Sequence, residues 1–264
     1  MRCSGSNVLI TGNDAASAIM DAHGALVAVG PYIVTQGNVL PLIVQATIDS
    51  ATRHGGFEDG DIFICNDPYL GAIHAPDFAT VAPIFHAGEL VAWVGASGHQ
   101  LDTGGMDPGG FSVKAVDIHQ EGLRMPPVKL VERGQVRDDI LDWIINQVRD
   151  PLVGLDVKGQ IACLLAGRER IGELIESWGV ETFKATLARS VEFAAGKLRE
   201  RLDELPDGTW REVQYIDHDG HTSRIYQVVC TLTKRGRHLT FDFTGTSPDA
   251  RGLINCTYSG LQAA

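Results

Sequence analysis

Between residues 78 and 97 two apolar runs, FATVAPIF and LVAWVGAS, flank the tetrapeptide His86-Ala87-Gly88-Glu89. Runs rich in Val, Ile, Phe and Trp around a Gly-containing turn specify an antiparallel hairpin. That pairing dictates where its ends go. The chain entering through His74–Asp77 and leaving through His99–Asp102 emerges at one end of the sheet. Pro83 suggests an edge or a bulge in the first strand, since proline cannot donate to a ladder.

The flanking segments read in the same terms. Ala18–Met20 and Leu26–Val29 surround DAHG, a second turn with Gly at the position that tolerates positive φ. NVLI, close to the N-terminus, looks like the start of a strand, and Leu40–Ala51 has helical spacing. GDIFICND holds a short apolar run that fits a strand buried on both faces. Residues 100–135 form a long, glycine-rich stretch without period, a pattern usually tied to function. Three helical elements follow, over Asp138–Arg149, Leu155–Trp178 and Val180–Leu205, with Gly179 between the last two. PDGTW (206–210) is a turn, and the remaining chain gives two or three antiparallel strands with a KRGR turn. The fold class is α+β: a β-rich region (1–135), a helical segment (136–205) and an antiparallel β segment (206–264). The terminal INCTYSGLQAA neither caps a helix nor trails into a polar tail. It suggests a chain continuing in a longer parent or covered by another subunit.

Charge and cysteine usage narrow the function classes. A net charge of −11 without a Lys/Arg-rich block argues against nucleic-acid or anionic-membrane binding. No apolar run approaches the roughly 20 residues of a membrane span. The five cysteines (Cys3, Cys65, Cys163, Cys230, Cys256) are scattered and lack a CxxC pair, which points to free thiols in a reducing cytoplasm. Cys65, inside the apolar run, reads as a small core residue.

The chemistry concentrates where the hairpin ends. Asp67, His74, Asp77, His99 and Asp102 all flank strand ends, in two pairs of identical spacing, His74/Asp77 and His99/Asp102. Two imidazoles and one or two carboxylates form a ligand set for Zn, Mn, Fe or Co. A remaining acid can orient a ligand or act as a base. Asp67 before Pro68, and Asp102 before Thr103-Gly104, equally suit plain turn caps. HDGH (218–221) reads as a turn rather than a metal pair. GGMDPGG (104–110) lacks the GK[ST] ending of a phosphate loop. In FDFTGTSP (241–248), Thr244 and Ser247 either bind a substrate amide or carboxylate or satisfy a turn, and Asp242 is either a buried, partnered acid or part of an amphipathic edge.

Six blocks in order, GDIFICNDPYLGAIHAPD, FHAGELVAWV, GHQLDTGGMDPGG, QEGLRMPPVKL, LPDGTW and FDFTGTSP, resemble the hydantoinase B/5-oxoprolinase family. The resemblance implies a B-type subunit working in a hetero-oligomer with an A-type subunit that binds ATP. The expected activity is ATP-dependent opening of a cyclic amide of hydantoin, oxoproline or lactam type. The alternatives are carboxylation of a ketone, as in acetone and acetophenone carboxylases, or a non-catalytic structural role. Carried onto this chain, the motif implies a divalent metal on His74, Asp77 and His99, with Asp67 or Asp102 as the catalytic carboxylate that orients ligands or acts as base. Asn66, Gln100, Thr244 and Ser247 are then expected to bind the small-molecule substrate. The family usually has two consecutive His where this chain has His99-Gln100, which leaves Gln100 as a poor neutral ligand. Family members are also normally about twice as long, so a fragment or one piece of a split subunit is expected.

Overall fold

In the computed structural model, which describes residues 4–264, the hairpin is the centre of a seven-stranded antiparallel sheet. Its arms are β4 (Asp77–His86) and β5 (Glu89–His99). Ala87 and Gly88 both have positive φ, at 49° and 83°, the conformation a two-residue hairpin turn needs to match strand twist. Before them lie α1 (Asn7–Ile10), β1 (Ala15–Asp21), β2 (Leu26–Val29), α2 (Val34–Asn38), α3 (Leu40–Arg53) and β3 (Ile62–Cys65). After them come β6 (Val128–Glu132), β7 (Gln135–Val136), α4 (Asp138–Gln147), α5 (Leu152–Trp178) and α6 (Val180–Glu204). Strand order is β2-β1-β5-β4-β3-β6-β7. A second sheet, in the order β10-β9-β8, contains β8 (Gly208–Ile216), β9 (Tyr226–Arg235) and β10 (His238–Asp242). A short α7 (Tyr258–Ala263) follows.

Both faces of the large sheet are covered, because β3 alternates between two cores. Ile62 and Ile64 join Ile144, Val157, Ile161 and Leu164 of the helical segment on one face. Phe63 and Cys65 join Leu40, Ile43 and Val44 of α3 with Trp93 on the other. Apolar residues on successive positions of one strand are what a sheet buried on both sides demands. Burial pushes the Cys65 thiol up to about 12, as fits a core residue. The cysteines among the described residues are all free. Cys3 lies outside them.

Several expectations need correction. NVLI is the helix α1, capped by the Ser6 hydroxyl that accepts from the Leu9 N–H. Four residues are too few for periodicity to separate helix from strand. Pro83 is not on an edge strand, since β4 lies between β5 and β3. Its pairing with β3 covers only Ala79–Val81, and the ladder to β5 shifts register after Ile84. Pro83 thus sits where one flank needs no donor. The stretch 100–135 is not wholly irregular: β6 pairs with β3. PDGTW already enters β8 at Gly208. The C-terminal segment does form a capped helix, with the Thr257 hydroxyl accepting from the Gly260 N–H.

Candidate metal centre and its cleft

Asp77 opens β4, His99 closes β5, and the two are direct cross-strand partners. His74 precedes them in the β3–β4 loop, which is bent back by the Asp77 N–H donating to the His74 carbonyl at 3.1 Å. The Asp77 Oδ1 lies 3.0 Å from His74 Nε2 and 3.2 Å from His99 Nδ1. The two ring nitrogens are themselves 3.2 Å apart. Atoms bound to one ion at about 2.0–2.2 Å stand roughly 3 Å from one another on a shared face. The triangle therefore fits a borderline divalent cation without rearrangement. Among the described residues this is the group whose ligand atoms come together in that way.

The electrostatics follow from the same contacts. Burial raises the Asp77 carboxyl, but hydrogen bonds from both imidazoles outweigh it and hold the group below the usual carboxylate range. Burial lowers His99, yet its bond to Asp77 leaves it raised overall. Gln36, buried on α2, donates from Nε2 to Asp77 Oδ1 at 3.1 Å and to Asp14 Oδ1 at 2.9 Å. The Phe111 ring lies 5.9 Å from that of His99 at an interplanar angle of 17°, and 5.5 Å from that of His74.

His74 also faces a cleft of about 350 Å³, whose other walls carry Tyr69, Glu121, Arg251, Asn255 and Thr257. A side chamber of about 70 Å³ joins His74 and Glu121 to Phe111 and Leu253. Burial, helped by Asp117 and opposed by His74, raises the Glu121 carboxyl. The 249–257 wall rests on the HDGH turn. A Cβ at Gly252 would collide with the Asp219 carbonyl. Asp219 accepts from the N–H groups of Thr222 and His221 and from the Tyr226 hydroxyl, which hold its carboxyl well below the usual range.

The remaining residues singled out from sequence do not join the triangle. Asn66 is fully buried and spends its amide on the chain. It donates to the Ala75 and Leu123 carbonyls at 2.6 and 2.7 Å and accepts from the Met125 N–H at 2.6 Å. It is a clip between loops and has nothing left for substrate. Asp67 caps its own turn by accepting from the Tyr69 N–H, with Arg124 at 3.6 Å. Gln100 is buried and donates to the Gly98 carbonyl at 2.8 Å; the triangle is formed by His74, Asp77 and His99. Asp102 accepts from the N–H groups of Gly104, Gly109 and Arg149 and from the Arg149 guanidinium. Burial raises its carboxyl but these donors win and hold it low, which is unsuited to a base. Ser247 pairs with Gln227 of β9, and Asp242 is an exposed residue that accepts from the Thr244 N–H. Thr244 and Ser247 therefore satisfy a turn and a strand flank. Gln36, Phe111, Glu121 and Arg149 were not visible as site residues. A lone aromatic among the glycines of 104–111 was the one cue to Phe111.

The whole sequence, residues 1–264, matches the family described as hydantoinase B/oxoprolinase. The chain belongs to this family. It is 30% identical over 247 residues to the acetophenone carboxylase delta subunit of Aromatoleum aromaticum, spanning 92% of this chain and 36% of that protein. It is 28% identical over 282 residues to 5-oxoprolinase 1 of Arabidopsis thaliana, spanning 95% and 22%. The crystal structure of the ATP-dependent caprolactamase from Pseudomonas jessenii superposes with a TM-score of 0.83 at 26% identity, over 95% of this chain and 43% of that one. This member of the hydantoinase B/oxoprolinase family thus spans less than half the length of these relatives.

Proposed function

We propose that the chain provides the metal centre of an ATP-dependent cyclic amide hydrolase and works beside an ATP-binding A-type subunit. The carrying observation is the triangle of His74 Nε2, Asp77 Oδ1 and His99 Nδ1, with edges of 3.0–3.2 Å, whose His74 lines a cleft of about 350 Å³. That volume is at the lower end of small-molecule sites. The likeness to the caprolactamase structure supports the hydrolytic reading.

His74 and His99 would hold the cation as neutral imidazoles, and Asp77 as a carboxylate oriented by Gln36. A bound divalent ion supplies Lewis acidity toward a carbonyl or phosphoryl oxygen. Glu121, in the same cleft, is placed to exchange a proton with a substrate heteroatom. Phe111 keeps bulk water from one side of the imidazoles. An unstrained amide resists hydrolysis, and coupling to ATP on the partner would make ring opening irreversible.

A second reading, ketone carboxylation, is favoured by the 30% identity to the acetophenone carboxylase subunit. Against the non-catalytic structural reading stands the convergence of His74, Asp77 and His99, which supply three ligand atoms without Gln100.

The test is reconstitution with the A-type subunit, ATP and metal. Lactams and hydantoins are supplied in one arm, and ketones with bicarbonate in the other. Ring-opened product that disappears in His74→Ala, together with about one metal per chain, is expected. Carboxylated product alone would transfer the site to the second reading. Less than about 0.1 metal per chain with unchanged activity in His74→Ala would refute the metal centre.

A further inference from the structure

The glycine-rich loop after β5 has no assigned task, yet it is the most heavily tied segment near the imidazoles. Arg149, between α4 and α5, reaches into it with both terminal guanidinium nitrogens. Nη1 donates to the Gly104 carbonyl at 2.9 Å and to that of Asp107 at 3.4 Å, and Nη2 donates to the Gly105 carbonyl at 2.6 Å. Asp102 holds the same loop from the other side, accepting from the Gly104 and Gly109 N–H groups at 2.8 and 3.0 Å. Arg149 and Asp102 bind each other at 3.1 Å. The loop is therefore gripped through its carbonyls by a planar multi-donor cation, whose fork a lysine does not reproduce, and through its N–H groups by the Asp102 carboxylate.

Directly after the gripped residues the chain turns through Gly110, at φ +74°, where a Cβ would stand 3.1 Å from Pro76 Cγ. The left-handed turn at Gly110 thus lies close against Pro76, and Phe111 follows it directly. Its ring then lies against both imidazoles, although more than half of the residue is exposed to solvent. An exposed aromatic ring is normally free to move. Here the loop just before it is held by a cation 38 residues further along the chain.

We propose that Arg149 is a positioning residue: through loop 104–109 it holds Phe111 as a cover over His74 and His99, so that the centre opens only toward the cleft lined by residues 249–257. The proposal builds on the assignment of these imidazoles to the site, but the cover can be tested without a metal.

The direct test is carbethoxylation of histidines in the EDTA-treated chain, read residue by residue by mass spectrometry. The exposed His86 serves as internal reference. Phe111→Ala and Arg149→Gln are each expected to raise labelling of His99 at least about fivefold relative to His86, and Phe111→Tyr to leave it near wild type. Thermal melts and far-UV circular dichroism confirm that each variant is folded, and Phe111→Ala, at an exposed position, carries the test if Arg149→Gln is not. His99 labelling in folded Phe111→Ala within twofold of wild type overturns the cover. Raised labelling in Phe111→Ala with none in folded Arg149→Gln overturns the role of Arg149. Release of bound metal to a chelator is then compared in the same proteins. A wild-type chain that binds no metal but shows the labelling pattern would refute the metal centre and leave the cover standing.

Discussion

Gln36→Met isolates the buried partner that orients the carboxylate of the proposed centre. Methionine has similar volume and reach but no donor. In the wild type one amide nitrogen bridges Asp14 at 2.9 Å and Asp77 at 3.1 Å. Its loss removes the fixed orientation of Asp77 and leaves two nearby carboxylates with no donor between them. Hydrogen bonds to charged groups contribute about 1.5–3 kcal/mol each. Part of that loss affects the metal-free fold, and part reappears as weaker metal binding. Removing an outer partner of a metal ligand typically weakens affinity about 10–100-fold, equivalent to about 1.4–2.7 kcal/mol. Competition titration against a chelator of known affinity reads this directly, and a melt in EDTA separates the effect on the fold. Metal affinity within twofold of wild type, in a variant that remains folded, would refute the claim that Gln36 sets Asp77.

Other expectations follow from the same contacts. Asn66→Ala removes three short side-chain bonds between loops and should cost about 2–4 kcal/mol at roughly 1 kcal/mol per bond, read by urea denaturation. Asp102→Asn should destabilise by about 1–2 kcal/mol near pH 6, since it weakens a pair whose Arg149 side is solvent-screened and the N–H bonds to a charged acceptor. Because the folded Asp102 carboxyl lies below its ordinary value, its contribution is complete above about pH 4 and is lost as pH falls through the lower folded value. The stability gap between wild type and Asp102→Asn should therefore close in acid, and a gap that widens instead would contradict the clamp. Gly252→Ala must push the 249–257 segment off Asp219. It should raise KM in the reconstituted complex while leaving metal content at wild-type level.

The parts legible in the sequence are those whose cause is local. The hairpin could be read because its apolar runs, rich in Val, Ile, Phe and Trp, and its turn all lie within about 20 consecutive positions. His74, Asp77 and His99 came with it, since strand pairing brings the ends of a hairpin together whatever lies between. What stayed hidden depends on long-range contacts. Gln36 meets Asp77 across 41 residues and Arg149 meets Asp102 across 47, and neither has a spacing that marks it. β6, with the short run VKLVE after two prolines, becomes a strand because β3 offers an open flank. The backbone-fastening bonds of Asn66 and Asp102 stayed hidden for a related reason. A polar residue at a strand end looks the same in sequence whether it faces a ligand or fastens the backbone.

The direct opposition of Asp77 and His99 has a further consequence for how the protein refolds. A slip of one residue between β4 and β5 would send one donor through to the opposite face of the sheet, and a slip of two would pull them about 7 Å apart. A cation captured by the pair would thus act as a proofreader of strand alignment. At a hundred times its dissociation constant it would favour the correctly aligned chain by about 2.7 kcal/mol, so divalent ion in the refolding buffer should raise the yield of native protein.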